Sequence, residues 1–168
     1  MDRTVKILGH PIHQQLIAFP LGLLITAAAF DLITFFSGDV RWTGMAFYMI
    51  GAGVIMGLVA AFFGLLDWLG IPAETRAKRI GAVHGLGNVL VVLLFVASFF
   101  LRWTDAAMPP NLAYWCSYIG VGIILATGWL GGELVDRLGI GVDLGANVNA
   151  PSSLDAEATE PTQRRPAA

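Results

Sequence analysis

Apolar residues along the chain fall into four long runs, approximately Leu16–Phe36, Gly44–Leu66, Ile80–Leu101 and Leu112–Gly131. Each is close to the ~20 residues that carry a helix across ~30 Å of hydrocarbon at 1.5 Å per residue. The stretches between them are short and rich in turn formers. They are Ser37–Thr43, then Asp67–Arg79 with Gly70 and Pro72, then Arg102–Asn111 ending in Pro109, Pro110 and Asn111. The pattern predicts an all-α, integral membrane four-helix bundle of up-down-up-down topology spanning residues 1–146. From about Asn147 large apolar residues almost vanish. Residues 147–168 are expected to form a disordered cytoplasmic tail, because such a composition buries too little surface to offset its ordering entropy.

Composition agrees with a lipid solvent. Of 168 residues 56% are hydrophobic and only 13% charged, about half the ~25% typical of soluble domains, and mean hydropathy is +0.70. A net charge of −2 leaves no basic face for nucleic acid. The single cysteine, Cys116, has no partner for a disulfide and reads as a small packing residue. Arg3 and Lys6 precede the first run, but that run is too long for a cleaved signal and reads as a retained span.

Charge placement orients the bundle. Arg3, Lys6, Arg76, Lys78, Arg79, Arg137, Arg164 and Arg165 share the side of the N-terminus, and Arg41 and Arg102 flank the other. The positive-inside rule then puts both termini in the cytoplasm. Trp42, Trp103 and Trp115 mark the outer interface, and Trp68 and Trp129 the inner one.

Helix contacts are also suggested. Gly53, Gly57, Ala60, Gly64 and Asp67 recur every three or four residues and form a stripe where a neighbour can approach closely. Gly81-x-x-x-Gly85 and Gly128-x-x-x-Gly132 repeat the device. Pro20 deprives the carbonyl of Leu16 of its donor and is expected to kink the first span. With Pro11 at the first helical position, His10 precedes the helix and His13 sits in its first turn.

All three histidines, His10, His13 and His84, then lie on the cytoplasmic side, with Asp67 and Glu133 at a similar level. His84 is about 6 Å inside the third span, and Asn88 follows on the same face. Imidazoles and carboxylates at one level are the donor set of a Zn or non-haem Fe site, here His10, His13, Asp67 and His84. Alternatively His84 and His13 or His10, with Asn88 beside them, hold haem b through axial ligation. The competing reading is a structural network, in which His84 and Asn88 bond to Asp67 or to a backbone carbonyl and Glu133 pairs with Arg137.

Asp31 is separate, about 7 Å inside the outer end of the first span. It is expected to be a neutral acid or bonded to Thr26 or Thr34, since only Arg41 or Arg102 could reach it from the interface. A proton-relay role needs a path to the histidines, and Ala27, Leu24 and Ile17 on the way are apolar.

Several segments together carry a resemblance. Gly9-His10-Pro11-Ile12-His13, Phe19-Pro20-Leu21-Gly22, Phe30-Asp31-Leu32, Gly64-Leu65-Leu66-Asp67-Trp68, His84-Gly85 with Asn88, Gly131-Gly132-Glu133-Leu134-Val135 and Gly139-Ile140-Gly141-Val142 are similar to the domain-of-unknown-function-2231 family of bacterial four-helix membrane proteins. The resemblance runs from Gly9 to Val142 and implies fold and location rather than a particular chemistry. It marks His10, His13, Asp31, Asp67, His84 and Asn88 as motif positions. Family members often carry Tyr and His where this chain has Asp136 and Leu138, so any ligand set with a tail-end histidine is absent here.

The expectation is a small binding or redox module, contacting membrane lipid, with a cytoplasmic-side His/Asp site for a metal or haem. The alternatives are a structural or accessory subunit, in a homo-oligomer or with a membrane-protein partner, and a proton-coupled carrier. No nucleophile with an adjacent base supports conventional enzyme catalysis.

Overall fold

Each apolar run forms a long helix, and the helices of the second and fourth runs extend beyond the run at both ends. In the computed structural model, which describes residues 4–154, the long helices are α2 (Ala18–Ser37), α3 (Arg41–Gly70), α4 (Arg76–Leu101) and α5 (Asn111–Gly132). A five-residue helix, α1 (Ile12–Leu16), precedes α2, and a π-helical turn, Glu133–Arg137, extends α5. Four of these helical spans are long and apolar enough to cross a membrane: Ile12–Ser37, Arg41–Gly70, Arg76–Leu101 and Asn111–Arg137, counted among the described residues.

Helix ends follow local chemistry. Thr75 caps α4 by accepting from the backbone N–H of Lys78. α2 ends at Gly38, whose positive φ of 73° suits a residue without Cβ. The expected start at Pro11 moves one residue on, because Pro11 is extended and acts as the N-cap of α1. Pro20 supplies no N–H to the Leu16 carbonyl, yet Ile17 keeps helical φ and ψ of −60° and −23°, and the bonds from Ile17 N–H to His13 and from Leu21 N–H to Ile17 run on through the join between α1 and α2. α1 packs mainly on α3.

α2 packs on α3 and α5, and α4 packs on the same two helices. The four enclose an apolar core of Leu24, Ala27, Ala46, Ile50, Val91, Phe95 and Ile124. Large apolar side chains such as Phe35, Leu86 and Leu125 cover the outside and are well exposed. An apolar exterior around an apolar core is the arrangement a lipid solvent requires.

Glycines set the close approaches, though not where the pairwise motifs suggest. The α3 stripe behaves as expected: a Cβ on Gly53 would lie 2.5 Å from Leu24, and Gly57 faces Val92 and Pro20. Of Gly81-x-x-x-Gly85 only Gly81 makes a close approach, with its Cβ position 2.8 Å from Trp68 of α3, whereas Gly85, Gly128 and Gly132 have nothing within 4 Å, so Gly128-x-x-x-Gly132 is not a packing motif within this bundle. Gly87 against Thr127 and Gly120 against Phe95 bring α4 and α5 together instead. Cys116 is buried and free, as its packing role requires.

Before α1, strands β1 (Lys6–Ile7) and β2 (His10–Pro11) form a small antiparallel hairpin. Its two-residue loop, Leu8-Gly9, has positive φ at both positions, which matches the twist of a tight hairpin. Residues 147–154, the start of the expected tail, touch this hairpin: Ser153 Oγ donates to the Leu8 carbonyl at 3.0 Å. The remainder of the tail, with Arg164 and Arg165, lies outside the described residues, as does Arg3.

In the α2–α3 turn the Arg41 guanidinium clamps Asp39 at 2.7–3.0 Å. Those hydrogen bonds, with one from the Arg41 backbone N–H, hold the Asp39 carboxyl below its ordinary range. The stability they add is present above the unfolded carboxylate pKa and is lost as pH falls through the lowered folded value. Arg41→Ala is expected to return the Asp39 midpoint upward in a ¹³C-carboxyl NMR titration; an unmoved midpoint would show that the clamp is not the cause.

Candidate functional site

The intramembrane polar groups form two clusters on either side of the apolar core. The first contains Asp31, which is fully buried and paired with Arg102 rather than bonded to Thr26 or Thr34. Arg102 Nη1 and Nη2 donate to its two carboxylate oxygens at 3.0 and 2.7 Å, and both residues are 0% exposed. Arg102 lies one residue beyond α4, at the span's end, and its side chain is drawn inward rather than out to the interface. The reason is a set of partners on every long helix. Arg102 Nε donates to Ser98, which bonds the Ala113 carbonyl and the Ser117 hydroxyl. The Thr43 hydroxyl lies 3.3 Å from Asp31 Oδ1 and 2.9 Å from Thr34 Oγ1, and the guanidinium faces the Tyr114 ring at 5.0 Å.

The second cluster contains His13 and His84. The ring centroids are 6.5 Å apart and the planes perpendicular. His13 Nδ1 is 2.8 Å from the Ala60 carbonyl of α3, and His84 Nδ1 is 2.9 Å from the Thr127 carbonyl of α5. A carbonyl only accepts, so each ring carries its proton on Nδ1 when neutral and directs a lone pair from Nε2. This Nδ1–H to carbonyl contact is the one that orients histidines which ligate metals through the other nitrogen. Two glycines make room for the rings: a Cβ on Gly64 would be 2.8 Å from His13, and one on Gly131 3.3 Å from His84. Gly131 appeared in the sequence only within a family-like segment and not as a packing residue, because a helix period does not say which glycine faces an imidazole.

Asn88 belongs to this cluster, as the i, i+4 spacing from His84 suggested. Its amide nitrogen is 2.9 Å from the His84 carbonyl and 3.3 Å from His84 Nε2, and its Oδ1 is 3.2 Å from the Thr127 hydroxyl. Of the structural alternatives, the contact to a backbone carbonyl is the one formed by His84, and Asp67 is not its partner.

The other members of the proposed ligand set are placed elsewhere. His10 is on β2, exposed, with Nε2 3.4 Å from Ser153 Oγ. Asp67 accepts from the Val5 backbone N–H at 2.8 Å and so fastens the hairpin to the end of α3. Among the described residues no three His, Cys, Asp or Glu side chains converge as a metal cluster. The four-residue set His10, His13, Asp67 and His84 is therefore not assembled, because the Leu8-Gly9 turn carries His10 onto the hairpin. Glu133 pairs with Arg76 at 2.6 Å and not with Arg137. Its backbone lies in the π-helical turn, where residues four apart no longer stack on one face.

Four apolar helical spans around an apolar core define a multi-pass integral membrane protein. The chain belongs to the family of predicted membrane proteins designated DUF2231, whose model matches residues 9–144. No curated protein and no solved structure matches it.

Proposed function

We propose that this protein is a small inner-membrane binding or redox module whose site is the imidazole pair His13 and His84, with a transition metal or haem iron as the ligand. The observation that carries the reading is the matched anchoring of the two rings: each donates Nδ1–H to a main-chain carbonyl of a neighbouring helix, which places the lone pair of each ring on Nε2, the nitrogen that would meet a ligand. Of the residues first considered, His13 and His84 hold the ligand and Asn88 adjoins it. The bundle is up-down-up-down, with both termini and the histidine pair on the cytoplasmic side and residues 1–146 as its single domain.

The test is reconstitution of the detergent-solubilised protein with Co²⁺ or with haem b. A visible spectrum of imidazole-ligated cobalt or of bis-histidine haem is expected for the wild type and is lost in His13→Ala and in His84→Ala. A spectrum that survives both substitutions removes the pair from the site.

A second reading is that of a structural or accessory subunit whose polar groups fix helix packing, alone or beside a membrane-protein partner. It is favoured by the complete satisfaction of buried polar side-chain atoms among the described residues. A stoichiometric partner retained through purification, together with failure of the reconstitution above, would support it.

A further inference from the structure

The groups around His84 close on themselves. His84 donates from Nδ1 to the Thr127 carbonyl, the Thr127 hydroxyl is 3.2 Å from Asn88 Oδ1, and the Asn88 amide nitrogen returns to His84, 2.9 Å from its carbonyl and 3.3 Å from Nε2. The tautomer follows from the carbonyl, and the tautomer fixes the amide: with a lone pair on Nε2, Asn88 has to present N–H there and keep Oδ1 for Thr127. His13 is held through Nδ1 in the same way, but among the described residues no group donates to its Nε2. The two imidazoles are thus unequal. One lone pair is open and the other is covered by an amide.

We propose that Asn88 sets the affinity of the histidine pair for a divalent cation, by occupying Nε2 of His84 until the metal displaces it. The proposal rests on the reading of His13 and His84 as ligands. Displacement is mild because the contact is long and shared: the amide nitrogen keeps its 2.9 Å bond to the His84 carbonyl, and Oδ1 keeps Thr127. One net hydrogen bond is at stake, which corresponds to a two- to tenfold effect on affinity, to order of magnitude. Asn88 also favours the ligating tautomer by rewarding a lone pair on Nε2, so it prepares the nitrogen that it covers.

The experiment uses the full chain in detergent, labelled with ¹⁵N-histidine, and Zn²⁺ titrated against a competing chelator. The metal-free spectrum is expected to show His84 protonated on Nδ1, with its Nε2 resonance moving in Asn88→Ala as the amide contact is lost. Wild type binds Zn²⁺, His84→Ala does not, and Asn88→Ala binds about two- to tenfold more tightly. If His84→Ala loses the metal while Asn88→Ala binds with wild-type affinity or more weakly, the ligand reading stands and the role given to Asn88 is wrong. If His84→Ala binds as the wild type does, the ligand reading fails and this proposal with it. A wild-type His84 protonated on Nε2 overturns the proposal without any metal being added, whatever the fate of the variants.

Discussion

Arg102→Ala is expected to lower the stability of the folded protein in detergent by about 3–5 kcal/mol, the range for breaking a buried ion pair by deleting one partner. The pair is bidentate at 2.7 and 3.0 Å and wholly buried, so deletion leaves the Asp31 carboxylate with only the Thr43 hydroxyl, 3.3 Å away. Ser98 loses the Nε donor at the same time, and the space over the Tyr114 ring empties. Asp31→Ala should be comparably harmful, since it strands a guanidinium instead. The double variant Asp31→Leu with Arg102→Met removes both charges at similar volume and should recover most of the loss, because a matched apolar pair avoids the desolvation cost. Equilibrium unfolding of the four proteins gives the coupling directly. Single variants as stable as the wild type would mean that the pair does not hold the four helices at this level.

Gly64→Val is expected to destabilise by about 1–3 kcal/mol, the cost of overpacking a filled contact. Three atoms of the His13 ring lie 2.8–3.2 Å from the position a Cβ would take, so the ring has to leave before the side chain fits. Leaving breaks the 2.8 Å bond to the Ala60 carbonyl, which among the described residues is what fixes the ring's tautomer and therefore its use as a ligand. Thermal unfolding and the ¹⁵N resonances of His13 report the two effects separately. The control is Gly85→Ala: nothing lies within 4 Å, and alanine in a helix gains up to ~1 kcal/mol over glycine, so stability should hold or rise. A Gly64→Val protein with unchanged stability and His13 still protonated on Nδ1 would contradict the packing described here.

The spans were legible because hydropathy is a property of each residue and its near neighbours. The run Leu16–Phe36 matches helix Ala18–Ser37 to within a turn at either end, and Gly44–Leu66 lies inside Arg41–Gly70, whose extra turns contain charged and interfacial residues such as Asp67 and Trp68 that end an apolar count without ending a helix. Long-range partners were not legible in the same way. Arg102 sits 71 positions from Asp31, and its place beyond an apolar run reads as interfacial until the seryl and threonyl groups of the other helices are brought together around it.

The histidines show the same limit at closer range. Sequence spacing fixes the depth of His10 and His13 relative to the membrane but not their direction. The Leu8-Gly9 turn, with φ of 51° and 81°, folds the chain into a hairpin that takes His10 away from the bundle, and a leucine in that position gives no turn signal. The pairing of His84 with Asn88 was readable from their i, i+4 spacing, whereas the Thr127 carbonyl that fixes the tautomer belongs to another helix.

The separation of the clusters bears on transport. Leu24, Ala27, Ile50, Val91, Phe95 and Ile124 fill the space between Asp31 and the histidine pair with apolar side chains. A proton-coupled carrier needs polar groups or water through that layer. Proton flux in proteoliposomes is accordingly expected to be the same for Asp31→Asn and wild type when equal amounts of folded protein are compared.

The central claim is that His13 and His84 jointly hold a metal-centred ligand, and the most direct test is the metal and haem content of the protein as isolated from membranes without chelator. The account predicts near-stoichiometric iron, zinc or another transition metal in the wild type, and its loss from a folded His13→Ala, His84→Ala double variant. Equal metal content in the two proteins, or wild-type protein isolated without any, would contradict it and leave the imidazoles as helix-packing groups.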